Sequence, residues 1–138
     1  NTVLVLDFDS STDETCYFRG VMPRHYDGGG VTVSVRWGAT SATSGTISLD
    51  VAFMSITDDA DDIDTKSFAA ANNANPTAPS ASGEFDYVDI AFTDGADMDS
   101  VAAGEEFFLL VRRDADGTTS TDNMTGDMEL LGVEIRET

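Results

Sequence analysis

Apolar and polar residues alternate with a period of two along most of this chain, and the clearest run is Val31 to Ile56. Val31, Val33, Val35 and Trp37 alternate with Thr32, Ser34 and Arg36. A loop of small polar residues from Gly38 to Gly45 follows, and then Ile47, Leu49, Val51 and Phe53 alternate with Ser48, Asp50 and Ala52. Such alternation, rich in β-branched and aromatic residues, predicts extended strands with one face in a core and the other toward water. After Phe53 the pattern breaks, because Met54 and Ile56 are apolar on the opposite face. That predicts a bulge or a second buried surface.

The other segments read the same way. Residues 2–8 are apolar on both faces, with Val3 and Val5 on one and Leu4, Leu6 and Phe8 on the other. Thr15–Met22 is a second strand, ended by Pro23, which cannot donate to a ladder. Phe85–Thr93 carries Val88, Ile90 and Phe92 on one face. Glu106–Arg113 carries Phe107, Leu109 and Val111 on one side and Phe108 and Leu110 on the other. Met128–Glu137 closes the chain, with Leu131, Val133 and Ile135 expected inward. Residues 69–83 read as a long loop. Within 67–73, a short helix over Ser67–Asn73 and a short edge strand over Ser67–Ala70 are both open.

No helical stripe of any length is present, so the expected fold class is all-β. The expected architecture is an antiparallel β-sandwich, a jelly roll of seven to eight strands, forming a single domain over residues 1–138. An immunoglobulin-like sandwich is the alternative, without its usual Cys…Trp…Cys spacing because Cys16 is the only cysteine.

Charge is the outlier of the composition. Twenty-six acids against seven bases give a formal net charge of −19. Such a chain repels phosphate backbones and anionic lipid surfaces, so neither nucleic acid nor membrane is an expected partner. The plain reading is a surface adapted for solubility or high salt; the sharper one is a basic partner or divalent cations. One cysteine excludes an internal disulfide. No apolar run approaches the roughly 20 residues of a membrane-spanning helix, and no basic n-region or h-region of a signal peptide is expected here.

Candidate chemistry is sparse. His25 is the only histidine, in a loop, and no G-x-S-x-G elbow accompanies it, so an enzyme is not expected. One histidine and one cysteine are too few for zinc in a single chain. Calcium takes clustered carboxylates, and Asp58, Asp59 and Asp61, with Asp62 and Asp64, form one such cluster. Asp114 and Asp116 form another. Neither completes an EF-hand: the first lacks the glycine and the second has Thr125 where the glutamate belongs. Solvated acidic loops are the plain alternative, and no other cofactor is implied. Trp37 falls on the inner face, while Tyr17, Tyr26 and Tyr87 are the aromatic residues expected nearer the surface. Arg112 and Arg113 either pair locally with Asp114 and Asp116 or contact a neighbouring subunit.

The succession Tyr17–Pro23, Tyr26–Gly30, Trp37 followed by Ala39–Gly45, then Ala103-Gly104 and Leu110–Asp116 resembles a group of small phage-encoded, virion-associated β-sandwich proteins. The resemblance covers roughly residues 1–137 and rests on strand-and-turn patterns, with no active-site signature. It implies a structural protein on the virion surface, often trimeric. One placement is a capsid decoration (cement) protein that stabilises the outer shell and has the major capsid protein as partner. The other is a tail-fibre or receptor- and carbohydrate-binding module.

Strands apolar on two faces exceed what a two-sheet domain buries, and the excess marks an interface. Val3, Leu4, Val5, Leu6, Phe107, Phe108, Leu109 and Leu110 are therefore expected to supply core and homotrimer contacts. In the receptor-binding alternative, loops at one end of the sandwich, such as 24–30 and 114–123, would carry specificity.

Overall fold

The computed structural model describes residues 2–138. The period-two segments form eight strands: β1 Leu6–Phe8, β2 Glu14–Val21, β3 Val31–Ala39, β4 Leu49–Ile56, β5 Asn72–Ala74, β6 Phe85–Phe92, β7 Glu106–Arg113 and β8 Met128–Glu137. The one helical element among the described residues is a single 3-10 turn at Ala96–Met98.

The strands make two four-stranded antiparallel sheets, ordered β1-β8-β3-β6 and β2-β7-β4-β5. The pairing is nested: β1 with β8, β2 with β7, β3 with β6 and β4 with β5. Rolling that long hairpin then sets β3 beside β8 and β4 beside β7. Every connection except β4–β5 crosses between the sheets. β3 and β4 therefore do not pair; they lie in facing sheets, and the polar loop between them spans one end of the sandwich.

The core lies between the sheets. Val33, Val35 and Trp37 of β3 face Leu49, Val51 and Phe53 of β4, and all six are fully buried. Phe53 is its aromatic centre, edge-on to Phe92 at 4.9 Å between ring centroids and tilted against Phe107 at 5.3 Å. Offset and edge-on aromatic pairs add about 0.5–1.5 kcal/mol each beyond the area they bury.

β4 is buried on both faces, with Ala52 and Met54 2% and 5% exposed on the outer side. The register runs through this strand without a shift, so the break after Phe53 reflects a second buried surface rather than a bulge. Tyr17, Leu110 and Ala52 form one outer cross-strand row, and Phe68 of the β4–β5 connection stacks on Tyr17 at 5.6 Å. That connection thus lies over the outer face. Its edge strand forms at Asn72–Ala74, past the expected Ser67–Ala70, although the Ala69 N–H already bonds the Phe53 carbonyl at 2.8 Å.

Two expectations are corrected here. Residues 2–8 do not form one strand buried on both sides: β1 starts at Leu6, and Phe8 alone of its apolar residues is buried. Leu131 does not point inward. The β3–β8 register shifts between Arg36 and Trp37, which pair with Gly132 and Leu130, so Leu131 is the extra residue of a bulge and is 39% exposed. A bulge flips the alternation. Met128 and Leu130 face the core before it, and Val133 and Ile135 pack toward the core after it.

Candidate functional site

The β7–β8 loop closes one end of the sandwich around a buried arginine. Arg113, at the end of β7, is fully buried and pairs with Asp122, Nε to Oδ2 at 2.9 Å and Nη2 to Oδ1 at 2.8 Å. Its other donors reach the carbonyls of Phe8 at 3.3 Å, Gly126 at 2.8 Å and Met124 at 2.8 Å. Arg112, on the opposite face of the same strand, bonds the buried Asp50 at 2.5 Å. The expected local pairing with Asp114 and Asp116 does not form: Arg112 pairs across the sheet with Asp50, and Arg113 with Asp122 of the following loop.

Asp114 is also buried. It accepts the Thr119 N–H at 2.7 Å and the Thr118 and Ser48 hydroxyls at 2.8 and 3.1 Å. Burial pushes its carboxyl up, and these hydrogen bonds more than offset that, leaving it well below the usual carboxylate range. Oxygens of Asp13, Asp114 and Asp116 lie within 4.8 Å of one another, so this end gathers the second sequence-predicted calcium cluster and adds Asp13 to it.

The first cluster is not gathered. Asp58 and Asp59 are exposed, and no group of three acids with converging oxygens forms there among the described residues. Asp61 instead holds Lys66 at 2.7 Å and accepts the Thr57 N–H, and both contacts lower its carboxyl. Lys66, the sole lysine of the chain, also approaches Asp99 at 3.4 Å and Ser55 Oγ at 3.0 Å. Asp99 adopts a left-handed backbone with φ 52° and accepts the Ser55 N–H at 2.8 Å. Through Asp61 the acidic run thus joins the clamp that ties the β4–β5 connection to the β6–β7 loop.

Loops 24–30 and 114–123 lie at opposite ends of the sandwich, not at one, because the chain crosses the sandwich five times between them, along β3 to β7. The 24–30 loop meets the β6–β7 loop and the C-terminal end of β8: Tyr26 Oη donates to Asp94 Oδ1 at 2.7 Å, and the Asp27 N–H donates to Glu137 at 3.0 Å. Burial and the Asp94 carboxylate push the Tyr26 phenol up. A cleft of about 420 Å³ opens beside this pair, with Tyr26, Asp94, Ser100 and Ala102 in its wall. His25 is exposed in the same loop.

The apolar residues expected at an interface separate into three sets. Phe107 and Leu109 are interior, and Phe108 and Leu110 are half-buried on the outer face of their sheet. Inward positions of β7 must fill the gap between sheets, so Phe107 and Leu109 are core only. Val3, Leu4 and Leu6 are 63%, 94% and 50% exposed, and Val5 is half-buried. Leu4, Val5 and Leu6, without Val3, border a groove of about 160 Å³ with Phe18, Leu130 and Leu131. The role of Leu131 was not legible, since alternation alone assigns it inward; Phe18 packs against the core and borders the groove as well.

On the outer face of β3 and β6, Tyr87 and Phe85 are 65% and 47% exposed; the Arg36 guanidinium lies 5.2 Å from the Tyr87 ring centroid, and Phe85 covers Gly38. Cross-strand ion pairs Arg36–Glu134 and Arg136–Asp89 occupy the same face. Cys16 is half-buried, and burial pushes its thiol up to about 11, so it is protonated at neutral pH. No protein-family model matches this sequence, and no curated protein matches it.

Proposed function

We propose that this is a structural protein of a phage virion: a trimeric capsid decoration, or cement, protein that grips the major capsid protein and stabilises the outer shell. In this reading the nested strand pairing is a jelly-roll winding, and the work is done by buried surface, without turnover. The observation that carries it is an uncharged apolar edge, Val3, Leu4, Leu6 and Leu131, on a sandwich of net charge −19. Exposed apolar surface on a soluble domain marks a contact site. The acidity suits the outer side of a shell, away from packaged DNA. Quantitative mass spectrometry of purified virions tests it. Presence at the stoichiometry of a capsid lattice is the expected result; absence from the particle overturns the proposal.

A second reading, a tail-fibre or receptor- and carbohydrate-binding module, is favoured by the Tyr26–Asp94 cleft, which offers an aromatic ring, a carboxylate and the Ser100 residue at a loop end. Saturable binding on a glycan array, lost in Tyr26→Ala, together with fibre-like copy number, supports it over the first.

A further inference from the structure

The side of the sandwich bordered by β1 and β2 is open in three ways. β1 pairs with β8 only at Met128–Leu130, so the edge of β8 from Leu131 to Glu137 has no strand beside it among the described residues. β2 is an edge strand of the other sheet along its whole length. Between them runs the groove lined by Leu4, Val5, Leu6, Phe18, Leu130 and Leu131, and no charged side chain lines it. The adjoining segment Thr2–Val5 is not part of a strand, and Leu4 is 94% exposed.

An occupant has to bring uncharged apolar side chains and free backbone donors and acceptors. Charge narrows the choice. Copies carrying −19 repel one another at every acidic face, whereas the stretch Thr2–Leu6 and the groove are both uncharged. Area narrows the mode. The largest apolar patch on a monomer is typically about 300–600 Å². A stable interface takes about 800 Å² from each partner, so flat contact falls short. A strand added to a sheet edge supplies main-chain hydrogen bonds along its length.

We infer that residues 2–5 of one copy add as a strand to the free β8 edge of another, completing its sheet. The inference rests on the self-association that the proposed function calls for. Leu6 and Phe8 pair with Leu130 and Met128, which face the core. A sister segment that enters antiparallel, in the register β1 sets and passing over the bulged Leu131, turns its Leu4 toward the groove and puts it opposite Val133. The bulge bends β8 where the chain's own segment departs, which leaves both edge and segment free for a sister copy. Each copy gives one segment and receives one, and a closed ring of two or three copies is the arrangement that leaves no segment or edge unpaired.

Disulfide trapping tests it on the full chain in a Cys16→Ser background. Leu4→Cys and Val133→Cys variants, mixed and oxidised, are expected to give a covalent heterodimer that neither forms alone. No cross-linked species, or equal cross-linking within each variant, overturns the inference. Leu4→Asp separates assembly from folding. It is expected to keep the wild-type β-sheet circular dichroism at 25 °C and to lose self-association by native mass spectrometry at tens of micromolar. A monomeric wild type, or Leu4→Asp assembly equal to wild type, also overturns it. A protein present on virions yet monomeric in solution defeats strand exchange and leaves the virion assignment standing; a protein that exchanges strands but is absent from virions does the reverse.

Discussion

Arg113 and Asp122 form a two-pronged ion pair inside the loop end of the sandwich, with side-chain exposures of 0% and 1%. All three guanidinium nitrogens are used, and Nη1 bonds the backbone of Phe8, so the pair also ties β1 to β7. A buried ion pair is tolerated when its geometry is good and every remaining donor is satisfied, and both conditions hold here.

Removing one partner leaves an uncompensated buried charge. Arg113→Met is expected to cost about 3–5 kcal/mol. For a chain of this length that lowers the melting midpoint by roughly 10 °C or more. Arg113→Met with Asp122→Leu should recover part of the loss, because the orphaned carboxylate is gone. Urea unfolding of the two variants checks this; a double variant no more stable than the single one contradicts the account.

Asp114 makes stability depend on acid. Its folded carboxyl sits below the value in the unfolded chain, so the folded state favours the ionised form. The resulting stability is present above the unfolded pKa of about 3.9 and is lost as pH falls through the folded value. The wild type should therefore lose stability steeply below about pH 4. Asp114→Asn should be less stable at neutral pH and show a shallower acid limb. Denaturant midpoints across that range measure both.

Gly30 stands where no side chain fits. Its φ is +83°, and a Cβ there would lie 2.5 Å from the Phe92 carbonyl oxygen, which is backbone and cannot step aside. Gly30→Ala is expected to cost at least the ~1–3 kcal/mol of a strained backbone position. Gly132→Ala is the control, since nothing lies within 4 Å of its Cβ and its φ is not positive. It should change stability by less than about 0.5 kcal/mol. Paired thermal melts decide.

Calcium should leave the fold unmoved. Both oxygens of Asp114 already take protein donors, and the Asp13 carboxylate accepts the Asp116 N–H. Binding there would displace hydrogen bonds that hold the loop. Melting midpoints in excess calcium and in excess chelator are expected to agree; a rise with calcium that Asp116→Asn abolishes would reverse this view.

Trp37 is the single tryptophan and is fully buried between the sheets. Its emission should be blue-shifted and protected from acrylamide, and should move red in step with the loss of β-sheet circular dichroism. A domain of this size unfolds cooperatively, so separated transitions would show that the two sheets come apart independently.

Strand existence was legible because burial on one face of a pleated chain imposes a period of two, and β7 and β8 begin and end where that period does. Leu131 was not legible. The bulge answers to the position of Trp37 on a neighbouring strand, and the local sequence Glu129–Val133 carries no glycine at the bulged residue to announce it. Nor were the partners of Arg113: Asp122 is nine residues away along an irregular loop, while Asp114 and Asp116 are closer in sequence yet turned elsewhere.

The all-β class, the order of most strands and turns, and a strongly acidic surface can be read along the chain, because alternation, turn residues and net charge are local or additive properties. Which strands are neighbours, which apolar residues stay outside, and which loops share an end are set by the folded arrangement. Those follow from how a nested hairpin rolls up, so that residues such as Phe18, Leu130 and Leu4 meet across long stretches of chain. Periodicity says that a side chain faces one side of its sheet; whether that side is covered depends on the second sheet and its edges.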